Sequence, residues 1–146
     1  MDRYGRKRKF LSISISNVFS EHVLDQKLAD EIYRRHMKNP EEFWTPYPFP
    51  SLAISDPGSR KDRDGNSWGY YSQALTALRC ARWMNHYGYG ADYDELLRCW
   101  VDGITDAEQN FCQELDPITG EMSNSSEWYY SAMLLYAYAC RRLKLV

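Results

Sequence analysis

The fold is decided by a run that is apolar or aromatic at nearly every position, Trp128-Tyr129-Tyr130-Ser131-Ala132-Met133-Leu134-Leu135-Tyr136-Ala137-Tyr138-Ala139-Cys140. Ser125 or Ser126 offers an N-cap for a helix that starts there. A helix that is hydrophobic all round must be buried on every side. The sequence therefore predicts a helix in this run that other helices surround.

Three further helices are predicted upstream of the run, and each has one apolar face. Leu24, Leu28 and Ile32, for example, recur at helical spacing in the first of them. The predicted limits are Ser20 to Asn39, Tyr70 to His86, and Asp92 to about Phe111, with Ser20 and Asp92 as N-caps.

A long connection from Pro40 to Ser67 separates the first two helices and shows no helical periodicity. Connections of this length inside a compact domain are usually functional. Amphipathic and all-apolar helices joined by long aromatic loops favour a two-layer helical toroid, in which outer helices shield inner ones. A simple four-helix bundle is the alternative, but it would have short loops and four similar faces. The predicted fold class is all-α, an incomplete (α/α) toroid of about four to five helices.

The length and the net charge of the chain limit its domain organisation and its partners. It has 146 residues and a net charge of −2. That length can bury a single core. We expect a basic, poorly structured segment over residues 1–19 and one domain over residues 20–146. A charge so close to neutral gives no reason to expect nucleic acid or an anionic membrane as partner. The longest apolar stretch falls short of the roughly 20 residues that a membrane span needs.

The cysteines and histidines do not form metal-binding patterns. Four cysteines are widely separated and include no C-x-x-C pair, which indicates buried thiols in a reducing compartment and hence a cytoplasmic protein. The histidines at positions 22, 36 and 86 lack the spacing of a zinc site. We therefore expect neither a metal nor another cofactor.

The connection carries the residue types that a sugar site needs. The flat C–H faces of a pyranose pack on aromatic rings, while its hydroxyls need carboxylate, amide or guanidinium partners. Trp44 and Phe49 lie in the proline-rich part, and Trp68 and Tyr71 follow a polar stretch. Packing against the core is the alternative explanation for Trp44 and Phe49.

Four blocks, in this order and spacing, carry a resemblance to a known family. They are Asn39-Pro40-Glu41-Glu42-Phe43-Trp44-Thr45-Pro46-Tyr47-Pro48-Phe49-Pro50-Ser51, Gly65-Asn66-Ser67-Trp68, Tyr87-Gly88, and Phe111-Cys112-Gln113-Glu114-Leu115-Asp116-Pro117-Ile118-Thr119-Gly120-Glu121. Together they resemble the C-terminal part of six-hairpin (α/α)6-barrel glycoside hydrolases. The group concerned contains mannosylglycerate hydrolase, the glucosidase of N-glycan trimming and trehalase.

The resemblance implies an inverting glycosidase, which uses a general acid and a general base about 6.5–9.5 Å apart. The family's acid is an aspartate in an earlier hairpin, upstream of this chain. Its base is a glutamate in the last block, where this chain has Gln113, and a glutamine cannot accept a proton from water. Glu114, one place later, is the first candidate base, and Glu127 is the second.

The tryptophan block also departs from the family's pattern, which reads Trp-Arg-Gly-Pro-x-Trp. Here Asp64 stands at the arginine position and Asn66 at the proline position. Trp68 is the candidate for stacking on a sugar, and Asp64 and Asn66 are candidates for binding its hydroxyls. Trp44 and Tyr71 complete the predicted substrate-binding set.

These observations predict the C-terminal portion of a glycoside hydrolase that acts on α-linked glycosides. Because the general acid is missing, we expect the isolated chain to be inactive. The expected partners are a carbohydrate and either a second copy of the chain or the remainder of the barrel on another segment. A non-catalytic helical module that binds carbohydrate, or serves as a scaffold, is the alternative.

Overall fold

The structure is a computed structural model that describes residues 10–61, 69–108, 110–123 and 128–146. Within these ranges the chain is mainly helical, as predicted. Its elements are a 3-10 helix at Ile13–Ile15, α1 at Ser16–Ser20, α2 at Gln26–Ile32, a π-helical turn at Tyr33–Met37, β1 at Ser72–Gln73, α3 at Ala74–His86, α4 at Gly90–Asp106, β2 at Glu114–Leu115 and α5 at Tyr130–Leu143.

The start of the chain belongs to the core from Ile13 onwards. Ile13 and Phe19 are buried, and the Ile13 N–H donates to the Ser51 carbonyl at 3.0 Å. The expectation that residues 1–19 are poorly structured is therefore wrong for residues 13–19, because two apolar side chains anchor this segment. Residues 1–9 lie outside the described residues.

The first predicted helix begins later than expected. The Ser20 hydroxyl donates back to the Ser16 carbonyl within α1 at 3.0 Å, so it does not cap a following helix. His22 then takes a left-handed conformation with φ of +54°, which interrupts the helical path. Asp25 is the actual N-cap of α2, and its carboxylate accepts from the Leu28 N–H at 2.9 Å.

Helices α3 and α4 form the centre of the structure. Trp83 of α3 is fully buried, and the ring centroid of Phe19 lies 4.8 Å from it. Helix α4 starts at Gly90, not at Asp92 as predicted. The Asp92 carboxylate instead accepts from the Tyr33 hydroxyl at 2.8 Å and from Lys38 Nζ at 2.9 Å, so it joins two helices rather than capping one.

Helix α5 is buried on one side only. Ala132, Leu135 and Ala139 are fully buried where α5 packs on α3 and α4. On the opposite side, Tyr130 is 67% exposed and Leu134 is 58% exposed. The prediction that this helix is surrounded is therefore wrong for the described chain, because α3 and α4 cover only one of its faces.

A pair of short strands and one further backbone hydrogen bond bring the beginnings of α3 and α5 together. Strand β1 pairs antiparallel with β2, with Gln73 opposite Glu114. The Tyr129 N–H, just before α5, donates to the Phe111 carbonyl at 2.8 Å. Because β1 runs directly into α3, both helices start at the same end of the molecule.

The proline-rich loop is held by its own aromatic side chains. Phe43 and Phe49 are buried, and the Tyr47 N–H donates to the Pro117 carbonyl at 3.0 Å. The alternative explanation for Phe49, packing against the core, is thus the observed one. The loop lies across the turn that follows β2.

The cysteines are free thiols in the described structure. Three are buried and Cys99 is half-buried. Burial raises the pKa of Cys80 to about 12, which keeps this thiol protonated and unreactive. No described helix is both long enough and apolar enough to cross a membrane.

Two glycines with positive φ provide a matched stability test. Gly88 and Gly120 have φ of +84° and +76°. A Cβ at Gly88 meets open space, whereas one at Gly120 overlaps the Tyr47 ring. We expect Gly88→Ala to lower the free energy of unfolding by about 1 kcal/mol, and Gly120→Ala by roughly 1–3 kcal/mol more. Urea denaturation measures both values, and equal losses would contradict the packing of Tyr47 against this turn.

Candidate functional site

A hydrogen-bonded group centred on Glu114 lies where β1 meets β2. Gln73 Nε2 donates to Glu114 Oε1 at 2.7 Å, and Ser123 Oγ donates to Glu114 Oε2 at 3.0 Å. Glu114 has no exposed surface. The predicted base candidate is thus held beneath the surface, with a donor on each of its oxygens.

The Glu114 carboxylate also fixes the orientation of two glutamine side chains. A carboxylate only accepts hydrogen bonds, so the Gln73 amide nitrogen must face it. The Gln73 amide oxygen then faces Gln113, whose Nε2 donates to it at 2.8 Å. Gln113 Oε1 consequently points away from this chain of bonds, and it is buried without a hydrogen-bond donor among the described residues.

Asp116 is another buried carboxylate near this group, and it organises the turn after β2. Its Oδ1 accepts from the N–H groups of Ile118 and Thr119 at 2.9 and 3.0 Å. Its Oδ2 lies 2.6 Å from Lys61 Nζ. Burial by itself would raise the pKa of Asp116, but the Lys61 ammonium and the two N–H groups outweigh it and hold the pKa below its usual range.

A small cavity opens beside these two carboxylates. Its volume is about 140 Å³, and its lining includes Lys61, Tyr71, Asp116, Glu121 and Ser123. Ligand pockets usually measure about 300 Å³ or more, so this cavity is smaller than a usual ligand pocket. Ser123 connects it to Glu114, since its hydroxyl both lines the cavity and donates to that carboxylate.

Tyr71 is the predicted substrate-binding residue that lies in this cavity. The ring is half-buried and stands edge-on to the Tyr70 ring, with 5.3 Å between the centroids. Burial raises the pKa of the Tyr71 phenol, so the hydroxyl stays protonated at neutral pH and can donate a hydrogen bond. Tyr71 therefore offers both an aromatic face and a donor.

Trp44 lies in a different set of contacts. Lys38 Nζ stands 3.5 Å from the centroid of its ring, and the Phe49 ring is edge-on to it at 5.5 Å. One face is thus occupied by an ammonium group, and Trp44 does not line the cavity beside Tyr71. Asp64, Asn66, Trp68 and Glu127, the remaining predicted site residues, lie outside the described residues.

Four residues of this group were not predicted as site residues from the sequence: Lys61, Gln73, Asp116 and Ser123. The Asp-Pro-x-x-Gly pattern at Asp116 signals a turn, but it does not say that Lys61 pairs with the carboxylate. Gln73 becomes part of the site only through the register of two short strands. That register has no local signature in the sequence.

No protein-family model matches the chain, and no curated protein sequence matches it. Among solved structures, GH63 mannosylglycerate hydrolase from Thermus thermophilus in complex with Tris has a TM-score of 0.75 and 18% identity, covering 92% of this chain and 31% of that one. Its complex with glucose has a TM-score of 0.74 at 18% identity, covering 92% and 33%.

An uncharacterized conserved protein from the same organism has a TM-score of 0.73 at 18% identity, covering 92% of this chain and 32% of that one. The chain has the fold of part of a glycosidase barrel. The predicted resemblance to six-hairpin glycosidases and the predicted fold class, a partial all-α toroid, are confirmed at the level of the fold. The chain spans about one third of each of these structures.

The charge of Asp116 should appear in the pH dependence of stability. Because its folded-state pKa is lowered, the ionised carboxylate stabilises the fold above the unfolded pKa of about 3.9. That stabilisation is lost as the pH falls through the folded pKa. Asp116→Asn should lower the free energy of unfolding at pH 7 by about 1.5–3 kcal/mol and flatten its decline below about pH 4.

Urea denaturation between about pH 3 and pH 7 measures this effect. Asp102→Asn is the matched control, because Asp102 is exposed on α4. It should change the free energy of unfolding by less than about 0.5 kcal/mol. An Asp116→Asn variant with the same acid sensitivity as the wild type would contradict the role given to Asp116.

Proposed function

We propose that the chain is the C-terminal portion of an inverting glycoside hydrolase that acts on α-linked glycosides. The supporting observation is the fold match to mannosylglycerate hydrolase, with a TM-score of 0.75 over 92% of this chain. A solved complex of that hydrolase contains glucose. The cavity beside Tyr71 adds an aromatic ring, two carboxylates and an ammonium group, which are the types of group that bind a sugar.

In this proposal Glu114 is the first candidate for the general base. Its Oε2 does not line the cavity, but it accepts a hydrogen bond from the hydroxyl of Ser123, which does. A general base must be within hydrogen-bond reach of the water it deprotonates. Glu114 meets that condition only if the Ser123 hydroxyl turns away and a water replaces it. Glu127 is the second candidate.

The proposed substrate contacts are distributed over two parts of the chain. Tyr71 supplies the ring in the cavity, and Trp68, Asn66 and Asp64 are proposed to complete the site from the neighbouring segment. Trp44 is the remaining proposed contact, through the ring face opposite Lys38. None of these residues supplies the general acid, which the resemblance places upstream of this chain.

The exposed side of α5 is the proposed contact surface for the rest of the barrel. Trp128, Tyr130 and Leu134 are each more than half exposed, and large exposed apolar patches mark interaction sites. Another segment of the barrel or a second copy of the chain would cover them. The four free thiols support a reducing compartment, and we propose a cytoplasmic location on that basis.

One observation favours the alternative function, a non-catalytic module that binds carbohydrate. The Glu114 carboxylate has no exposed surface and accepts a hydrogen bond on each oxygen. A carboxylate satisfied in this way holds the two strands in place without touching a reacting water. In this alternative the cavity at Tyr71 binds sugar, and Glu114 is structural.

We expect the isolated chain to show no hydrolysis of aryl α-mannosides or aryl α-glucosides above the uncatalysed rate. An active site that lacks the general acid cannot protonate the leaving group, even if a general base is present. Release of the aryl group, followed by absorbance, measures this rate, and Glu114→Gln is the comparison variant. Turnover by the wild type that Glu114→Gln abolishes would overturn the proposal that the chain is an inactive portion.

Titration with methyl α-glucoside and with α-linked oligosaccharides, followed by tryptophan fluorescence, separates the two functions. A binding module should respond saturably, lose the response in Tyr71→Ala and keep it in Tyr130→Ala. Tyr130 is a suitable control because it is an exposed tyrosine outside the cavity. No response from the wild type would instead favour the incomplete barrel.

A further inference from the structure

A second and larger cavity lies on another part of the molecule. Its volume is about 320 Å³, and it is bounded by residues 12–20 on one side and by the first half of α3 on the other. The walls carry serine and threonine hydroxyls, the Asn17 amide and the Arg79 side chain. None of the residues of the Glu114 group lines this cavity.

The charged side chain among the described lining residues of this cavity is a cation, Arg79, although the whole chain carries −2. Helix α3 contains Arg79 and Arg82 and no aspartate or glutamate. Residues 11–20 contain no charged side chain. Among the described lining residues there is no carboxylate to neutralise Arg79. A cavity with this lining attracts an anion rather than a cation.

Some of the polar groups in the cavity are already hydrogen-bonded, such as the Ser12 and Ser20 hydroxyls, but Arg79 is not. The Arg79 side chain forms no ion pair or hydrogen bond with another described residue, whereas Arg142 binds both Asp94 and Asn85. Ser16 lines the cavity and is only 8% exposed. Thr76, one helical turn before Arg79, adds a second hydroxyl to the same wall.

We infer that this cavity binds the phosphate group of a small hydroxylated phosphate monoester. A guanidinium matches two oxygens of a phosphate with two parallel hydrogen bonds. The Ser16 and Thr76 hydroxyls supply further donors, and Asn17 can bind hydroxyls on the rest of the ligand. The volume falls in the range of about 300–1,000 Å³ that is usual for small-molecule pockets. This site does not depend on the proposed glycosidase function.

Isothermal titration calorimetry of the full chain tests the inference with three probes: glycerol 3-phosphate, inorganic phosphate and glycerol. The measurement is made in about 0.15 M salt, which screens non-specific attraction between exposed charges. We expect saturable binding of glycerol 3-phosphate at one site, weaker binding of inorganic phosphate and no binding of glycerol. Binding of glycerol as tight as that of glycerol 3-phosphate would overturn the inference, and so would no saturable binding of glycerol 3-phosphate.

Variants of α3 and α1 locate the site. Arg79→Gln should weaken binding of glycerol 3-phosphate about tenfold or more, because it removes a charge-assisted pair of hydrogen bonds. Ser16→Ala should weaken it about tenfold, because it removes one hydrogen bond to a charged acceptor. Arg82→Gln is the matched control, since Arg82 is exposed on the same helix but does not line the cavity. Equal losses in the two arginine variants would overturn the inference.

Discussion

The antiparallel contact between β1 and β2 is the interaction on which the arrangement of the candidate site depends. It is only two residues long on each side, yet it joins the segments that lead into α3 and follow α4. The backbone pairing sets Gln73 opposite Glu114, and their side chains repeat the connection with a hydrogen bond of 2.7 Å. A shift of one residue would turn every side chain of the strand to the other face.

Two buried carboxylates close to this contact show how the fold accommodates charge. Burying an unpaired carboxylate costs several kcal/mol, on the order of the whole stability of a small domain. Glu114 is paired with amide and hydroxyl groups, and Asp116 with backbone N–H groups and Lys61. Each set of partners comes from several segments, so the carboxylates hold loops together in addition to marking the candidate site.

The sequence predicts the helices better than their ends. The apolar periodicity is sufficient to place α2, α3 and α4, because it reflects burial on one face, and the continuous apolar run places α5. Caps depend on contacts from elsewhere in the chain: Ser20 bonds back into α1, and Asp92 is drawn to Tyr33 and Lys38. Helix α5 has the composition of a surrounded helix, but α3 and α4 cover only one of its sides.

The candidate site, like the helix ends, was predictable only in part, because it depends on contacts from elsewhere in the chain. Residue types and the resemblance pointed to Tyr71 and Glu114, which the structure links through the cavity and Ser123. Residue types and the resemblance could not indicate that the Glu114 side chain is fully buried, because its burial follows from how β1 and β2 pair. The partners of the two carboxylates come from positions up to 55 residues away in sequence, such as Lys61 for Asp116.

The shared starting end of α3 and α5 has an electrostatic consequence. These helices have 13 and 14 residues, and the aligned peptide dipoles of a helix place roughly half a positive charge at its N-terminus. Two such poles therefore lie at the end of the molecule where Glu114 is enclosed. The last turn of α4 packs on the same place, since a Cβ at Gly103 would touch Leu115, and its negative pole offsets part of this positive potential. The strand pair itself carries no basic side chain.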